Sequence, residues 1–131
     1  MSPEHAHKQI LIVEDEAALA KIVKWQLESA GYEVHAEGDG KSGLTWAAEH
    51  QPDLVIVDLR LPDISGYDVC RELRKLSTPW VLPILILTAM DKPVDELRGF
   101  AHGADAYLTK PFDANELRRT VTLLLGESAT V

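Results

Sequence analysis

The sequence predicts a single α/β domain in which helices cover both faces of a parallel β-sheet. Short, continuous apolar runs, typical of strands buried on both faces, alternate along the chain with stretches that have helical periodicity. This βα unit occurs five times, and strands joined in that way form a parallel sheet with right-handed crossovers. The chain has 131 residues, of which 46% are hydrophobic, so one domain with a substantial core is expected.

The first half of the chain contains the first two βα units. The run QILIV at residues 9–13 predicts the first strand, and Leu19, Val23 and Leu27 then share one helical face, with Gly31 as the cap. Residues 32–36 alternate in polarity, which is typical of an edge strand. A second helix follows, supported by the apolar residues Leu44, Ala47 and Ala48.

The remaining three units follow the same alternation. Apolar runs at 54–57, 84–87 and 106–108 predict the third, fourth and fifth strands. The helix between the first two of these runs is indicated by Val69, Leu73 and Leu76, and the next helix spans about 93–102 and begins with Pro93. The last helix is supported by a periodic set that ends at Gly126: Leu117, Val121, Leu124 and Leu125.

Composition excludes several classes of function. The net charge is −8 and the basic residues form no block, which argues against direct binding of nucleic acid. No apolar stretch reaches the roughly 20 residues of a membrane span, and the first residues lack an apolar signal core. The single cysteine, Cys70, is predicted to be a small buried hydrophobe. We therefore expect a cytoplasmic protein with no membrane contact.

Polar residues follow four of the predicted strands at the point where each strand ends. Glu14 and Asp15 come after the first strand, Asp58 after the third, Thr88 after the fourth and Lys110 after the fifth. Because parallel strands place their carboxyl ends at one edge of a sheet, these side chains are expected to meet there. Three acids, a hydroxyl and an amine would then share one site.

Such a site suits phosphoryl transfer to a carboxylate. Neighbouring carboxylates repel one another, and a hard divalent cation such as Mg²⁺ relieves that repulsion while leaving positions for phosphate oxygens. Asp58 ends the central run and is the candidate nucleophile, which would form an aspartyl phosphate. Lys110 and Thr88 are the candidate groups that stabilise the charge on the transferred phosphoryl group.

Four ordered motifs give the chain a resemblance to the receiver domain of two-component response regulators. They are Ile12-Val13-Glu14-Asp15-Glu16, residues 57–66 (VDLRLPDISG), Leu87-Thr88-Ala89 and residues 103–112 (GADAYLTKPF). The resemblance implies a flavodoxin-like, doubly wound (βα)5 fold with strand order 2-1-3-4-5. It also implies a receiver domain at residues 9–126, flanked by short tails at 1–8 and 127–131.

The resemblance also implies roles for the site residues. Asp58 would take a phosphoryl group from a histidine kinase or phosphotransfer protein, while Mg²⁺ binds Glu14, Asp15, Asp58 and the backbone carbonyl of Arg60. The chain would be a signalling domain, with only self-catalysed phosphoryl uptake and loss as enzymatic activity.

The resemblance implies a switch as well. Thr88 would move toward the phosphoryl group, and Tyr107 would rotate inward. Together they would change the output face at about 93–125, which would contact a downstream effector or a second copy of the chain. Ala106 stands where many transcription-factor receivers have a second acid, so a homodimer held by their salt bridges is not expected. The Lys110–Pro111 peptide is expected to be cis.

Two alternatives remain from the sequence. A pseudo-receiver would bind a partner without being phosphorylated, although such proteins usually lack one of the acids or the lysine. A Mg²⁺-dependent phosphatase acting through an aspartyl phosphate would usually carry a second acid at the position of Arg60. Arg60 and Met90 would also flank the route of a hydrolytic water, so slow loss of the phosphoryl group is a further hypothesis.

Overall fold

A computed structural model of the protein describes residues 8–77 and 81–127. Five strands alternate with five helices, as the sequence predicts. The elements in chain order are β1 (Gln9–Val13), α1 (Ala17–Ser29), β2 (Glu33–Glu37), α2 (Gly40–His50), β3 (Leu54–Val57), α3 (Gly66–Leu76), β4 (Ile84–Thr88), α4 (Pro93–Ala101), β5 (Ala106–Thr109) and α5 (Ala114–Leu124). The predicted tails at 1–8 and 127–131 lie outside the described residues, except for Lys8 and Glu127.

The five strands form one parallel sheet in the order β2-β1-β3-β4-β5. This confirms the predicted flavodoxin-like topology and places β2 at an edge. In the register, Val13 pairs with Val57 across β1 and β3, so the residues that follow these two strands emerge side by side. Strand β3 lies in the middle of the sheet, and Asp58 therefore lies near the centre of its carboxyl edge.

Alternate residues of the strands enter two separate cores. Leu11, Val55 and Ile86 face the side that packs against α2 and α3, where Cys70 is also fully buried. On the other face of the sheet, the residues of α1 and α5 pack against a second set of strand residues: Ile10, Ile12, Leu54, Ile56, Leu85 and Leu87. Each of these fully buried side chains contributes on the order of 1.5–3 kcal/mol to folding.

Several helix ends are stabilised by side chains. The N-cap residues Asp39, Ser65 and Asp113 each accept a hydrogen bond from a backbone N–H in the first turn of α2, α3 and α5 respectively. Gly31 has φ of 104° and Gly126 has φ of 73°, a left-handed conformation that favours glycine. These two glycines follow α1 and α5, where the sequence predicts the helices to end.

The boundaries differ from the predicted ones by a single residue in several places. Strands β4 and β5 each extend one residue further, because Thr88 and Thr109 still pair with each other. Strand β2 begins and ends one residue later, and α4 ends at Ala101 rather than at residue 102. Such differences at element ends do not move any of the candidate site residues away from the carboxyl edge.

None of the helices within residues 8–77 and 81–127 combines the length and apolar character that crossing a bilayer needs.

Candidate functional site

The three candidate acids meet at the carboxyl edge of the sheet. Glu14 and Asp15 follow β1, Asp58 follows the adjacent β3, and one carboxylate oxygen from each lies within 4.8 Å of the other two. Glu14 and Asp58 are each only 6% exposed, whereas Asp15 is exposed. The cluster is thus open to solvent on the side of Asp15.

Lys110 joins the two buried acids. Its Nζ lies 2.8 Å from Glu14 Oε1 and 2.8 Å from Asp58 Oδ2, and its side chain is 17% exposed. Lys110 follows β5, so its side chain must pass over the end of β4 to reach Asp58. The backbone assists this placement, because the Lys110 N–H donates to the Thr88 carbonyl at 2.8 Å. The peptide between Lys110 and Pro111 is cis.

The surroundings of Asp58 keep it ionised. Burial alone would raise the pKa of its carboxyl group, but hydrogen bonds from Lys110 and Thr88 outweigh burial. The positive charge of Lys110 and a hydrogen bond from the Arg60 N–H act in the same direction, so the pKa of Asp58 lies below its ordinary value. A deprotonated carboxylate is the form that can act as a nucleophile.

The pKa of Glu14 is shifted in the opposite direction from that of Asp58. Burial, reinforced by the negative charge of Asp58, raises the pKa of Glu14 despite hydrogen bonds from Lys110 and from the Glu16 N–H. The pKa of Lys110 is raised as well: burial would lower it, but the two carboxylates together have the larger effect. The ammonium therefore remains charged and pairs with Glu14 and Asp58, while Asp15 adds a third carboxylate to the cluster. This leaves excess negative charge at the site.

That excess charge and the donor atoms fit a hard divalent cation. Carboxylate oxygens are the ligands that Mg²⁺ prefers, and Mg²⁺ commonly uses few of them while keeping several waters. Glu14, Asp15 and Asp58 could each offer one oxygen.

Thr88 lies beside Asp58, and Tyr107 contacts the segment that follows Thr88. Thr88 is fully buried, and its Oγ1 accepts a hydrogen bond from the Met90 N–H at 3.4 Å. Tyr107 packs against the core and its hydroxyl donates to the Met90 carbonyl at 2.6 Å. The Tyr107 ring thus faces inward, and both of the predicted switch residues contact the same backbone segment after β4.

The sequence of the chain matches a known protein family. Residues 10–122, most of the chain, match the family described as the response regulator receiver domain. The chain belongs to this family. It is therefore a receiver domain of the two-component signalling systems, in agreement with the motifs at the carboxyl edge.

Individual relatives of this receiver domain include regulators and solved structures. The DNA-binding dual master transcriptional regulator RpaA of Synechocystis sp. is 44% identical over 117 residues, which are 89% of this chain and 48% of RpaA. The crystal structure of a response regulator from Chloroflexus aurantiacus J-10-fl has a TM-score of 0.86 and 36% identity, covering 92% of this chain and 99% of that one. The chemotaxis protein CheY4 of Vibrio cholerae has a TM-score of 0.85 and 32% identity, with 91% and 99% covered.

The receiver domain spans about half the length of the curated relatives it matches.

The remaining predicted site residue of the receiver domain is Arg60. Its backbone N–H donates to Asp58 Oδ1 at 3.3 Å, and the residue is exposed at the mouth of the site. Arg60 therefore lies next to the acids, and the metal-binding role of its carbonyl stays a prediction. Met90, the other residue expected to flank the hydrolytic route, packs against the core near Thr88.

Gly66, the first residue of α3, lies against the backbone of Asp58. Gly66 is not among the residues with positive φ, so its backbone conformation does not require glycine. Instead, a Cβ at Gly66 would lie 2.3 Å from the Asp58 carbonyl oxygen and 2.6 Å from Leu59 Cα. Glycine is needed here because α3 begins in direct contact with the backbone that carries Asp58.

Sequence reasoning missed two residues that connect this site to its surroundings. The Asp63 carboxylate accepts hydrogen bonds from the first two N–H groups of α2, those of Gly40 and Lys41, at 2.8 Å each. Tyr67, which follows Gly66, is buried and donates to a carbonyl of α4. A tyrosine among the core positions of α3 was the available signal for Tyr67, since a buried hydroxyl needs a partner.

Proposed function

We propose that this receiver domain, at residues 9–126, is a phosphorylation-dependent signalling switch in which Asp58 accepts a phosphoryl group from a phosphohistidine. The donor would be a sensor histidine kinase or a phosphotransfer protein. The observation that carries this proposal is the contact between Lys110 Nζ and the buried Asp58, whose pKa is lowered. A buried, ionised carboxylate beside a lysine suits a nucleophile whose product carries additional negative charge.

In the transfer step, a carboxylate oxygen of Asp58 forms a bond to phosphorus while the bond from phosphorus to the donor's histidine nitrogen breaks. The imidazole leaves with the bonding electron pair and no proton has to be removed from Asp58, because it is already ionised. Lys110 donates hydrogen bonds to the phosphoryl oxygens. The Thr88 hydroxyl then moves toward the phosphoryl group and donates a hydrogen bond as well. These groups act where charge spreads over the equatorial oxygens.

Glu14, Asp15, Asp58 and the carbonyl of Arg60 are the proposed ligands of Mg²⁺. Bound Mg²⁺ would supply positive charge that neutralises the phosphoryl oxygens and the crowded carboxylates. The exposure of Asp15 on the solvent side supports this assignment, because a hydrated ion can reach that carboxylate first.

We propose the α4-β5-α5 surface, residues 93–125, as the output face. Its support is the apolar surface of α4, where Val94, Leu97 and Phe100 are all exposed. On α5, Leu123 is also exposed. Movement of Thr88 and Tyr107 would alter this face, since Tyr107 lies in β5 and is bonded to the segment that precedes α4.

An effector protein or domain is the proposed partner of the output face, and a phosphorylation-dependent homodimer is the other candidate. Asp105 is bonded to Arg74 of the same chain at 2.6 Å. Together with Ala106 at the neighbouring position, this supports a dimer held by apolar contacts rather than by salt bridges from these residues.

The proposed docking site for the phosphoryl donor lies on α1 and on the segment that follows β5. Ile22 and Trp25 of α1 are exposed, and Ile22 lines a shallow groove of about 450 Å³ that extends to Lys110, Pro111 and Phe112. Exposed tryptophan is common at the energetic centre of interfaces. We place the domain in the cytoplasm, where its buried free thiol Cys70 would remain reduced.

The test is the intact mass of the protein after incubation with acetyl phosphate and Mg²⁺, alongside Asp58→Asn and the exposed control Asp91→Asn. The parent and the control should gain one phosphoryl mass, and Asp58→Asn should gain none. No gain in the parent would favour a pseudo-receiver and refute the proposal. Sustained release of inorganic phosphate over many turnovers would instead indicate a phosphatase.

A further inference from the structure

Helix α4 is weakly attached to the rest of the domain. Of its nine residues, only Asp95 and Gly99 are buried. By comparison, five residues of α3 are buried. A helix with few buried apolar contacts opens at low free-energy cost, so single additional bonds can determine its position.

One such bond comes from Tyr67 of α3. The Tyr67 side chain is 5% exposed, and its hydroxyl donates to the Asp95 carbonyl in the first turn of α4 at 3.1 Å. The Arg98 guanidinium lies 4.3 Å from the centroid of the Tyr67 ring, within the range of a cation–π contact. The His102 ring, at the end of α4, lies 5.2 Å from the same centroid. Tyr67 thus contacts the first turn of α4, its last turn and its C-cap residue.

A second bond comes from Tyr107 of β5, which packs against the same core cluster as Tyr67. The Tyr107 hydroxyl of β5 donates to the Met90 carbonyl, in the segment that leads into α4. The Tyr107 ring also contacts the helix itself, because a Cβ at Gly99 would lie 3.2 Å from Tyr107 Cδ2. Two tyrosine hydroxyls therefore bond two backbone carbonyls near the N-terminal end of α4.

Tyr67 is also tied to the phosphorylation site. Its neighbour Gly66 donates a backbone hydrogen bond to the Leu59 carbonyl at 2.9 Å. Gly66 lies so close to the Asp58 carbonyl that no side chain fits between them. A change in the backbone that carries Asp58 is therefore passed on to the start of α3, where Tyr67 lies.

We propose that Tyr67 is a positioning residue that holds α4 in the arrangement in which Tyr107 faces inward and Thr88 lies close to Asp58. Tyr67 would form a second connection between the phosphorylation site and the output face, through α3 rather than through β4 and β5. The effect of Tyr67 on signalling rests on the proposed function of Asp58. The attachment of α4 by Tyr67 is independent of that function.

The first test is hydrogen exchange of α4 amides in Tyr67→Phe, which removes the hydroxyl and keeps the ring. The net free energy of one hydrogen bond is large enough to change the equilibrium constant for local opening roughly two- to tenfold. We expect α4 amides to exchange faster by about that factor, with exchange in β1 and β3 unchanged. The matched control is Tyr32→Phe, because the Tyr32 hydroxyl donates to Glu127 on the other face of the sheet. It should leave α4 unchanged.

The second test is the initial rate of phosphorylation by acetyl phosphate with Mg²⁺. Tyr67→Phe should slow the rate roughly two- to tenfold, because the arrangement that places Thr88 near Asp58 becomes less populated. Arg98→Met, which removes the cation above the ring, should shift both measurements in the same direction by a smaller factor. The control Tyr32→Phe should match the parent.

Two outcomes would overturn the inference: α4 exchange in Tyr67→Phe equal to that of the parent, or a phosphorylation rate unchanged despite faster α4 exchange. Failure of the proposed function is a different result from these two outcomes. A parent protein that takes up no phosphoryl group would refute the proposed function, while hydrogen exchange of α4 would still test its attachment by Tyr67. Loss of protection throughout the domain, rather than in α4 alone, would assign Tyr67 a merely structural role.

Discussion

The Lys110 ammonium lies 2.8 Å from Asp58 Oδ2 and 2.8 Å from Glu14 Oε1, so a single cation joins carboxylates that follow two different strands. All three side chains are largely buried. Removing one member of such a group leaves an uncompensated charge in a poorly solvated site, which usually costs more than the group contributes when complete.

Lys110→Met should therefore destabilise the domain by about 3 kcal/mol in the absence of divalent cations. Millimolar Mg²⁺ should recover part of this loss, because the ion replaces the missing positive charge. Urea unfolding with EDTA or with Mg²⁺ measures both effects. The matched control is Lys41→Met on the exposed surface of α2, which should change little. Equal stability of Lys110→Met and the control would contradict the electrostatic role of Lys110.

Mg²⁺ should stabilise the native domain through the acid cluster. At a concentration of 100 times the dissociation constant, the expected gain is about 2.7 kcal/mol, which would appear as a higher melting temperature. Asp15→Asn should abolish most of this gain while altering the metal-free melting temperature little, because Asp15 is exposed. Asp91→Asn serves as the control. A Mg²⁺-dependent shift retained in full by Asp15→Asn would exclude Asp15 as a ligand.

Asp63 should contribute to the pH dependence of stability. Desolvation opposes its ionisation, but hydrogen bonds from the Lys41 and Gly40 N–H groups outweigh this and lower the pKa of Asp63 to about 2. The unfolded value is about 3.9, so the contribution is present above pH 4 or so and is lost as the pH falls toward about 2.

Asp63→Asn should accordingly be less stable than the parent near neutral pH, and the difference should shrink as the pH falls from about 4 to about 2. Urea midpoints at several pH values give the difference, and carbon-detected NMR of the carboxyl group gives the pKa directly. A pKa of Asp63 near 3.9 in the folded protein, or a difference independent of pH, would be inconsistent with this account.

Gly66→Ala should destabilise the domain by about 3 kcal/mol. The added Cβ would meet backbone atoms of Asp58 and Leu59 at 2.3 and 2.6 Å, and backbone cannot move aside as a flexible side chain can. Gly38→Ala is the control, since a Cβ there meets no atom within 4 Å. Thermal unfolding compares the two variants, and a small effect at both positions would argue against the close approach of α3 to Asp58.

The phosphoryl group on Asp58 is expected to be lost slowly. Arg60 is exposed next to Asp58 and Met90 packs near Thr88, and we predict that both side chains restrict the approach of a hydrolytic water. The double variant Arg60→Asn with Met90→Glu should therefore lose the phosphoryl group faster than the parent. The half-life after removal of acetyl phosphate measures the effect, and identical lifetimes would remove this explanation.

The order of elements and the membership of the acid cluster could be predicted because both follow from local patterns. Continuous apolar runs identify β1, β3 and β4. The polar residues that follow these runs identify the side chains expected at the carboxyl edge of the sheet. The connections of Tyr67 and Asp63 could not be predicted in this way. Each bonds a backbone group of an element far away in the chain, and no periodicity encodes such a partner.

Local sequence by itself determined which segments are strands and helices, and which chemical groups follow each strand, since burial on two faces and helical periodicity are properties of neighbouring residues. Only the tertiary structure decided that the Lys110 ammonium bonds both Glu14 and Asp58, that Gly66 is required by a close backbone contact, and that the Tyr67 hydroxyl bonds α4. The physical reason is that these contacts depend on how the packed helices and strands lie relative to one another. That arrangement is set by the burial of apolar side chains in both cores, to which many segments contribute.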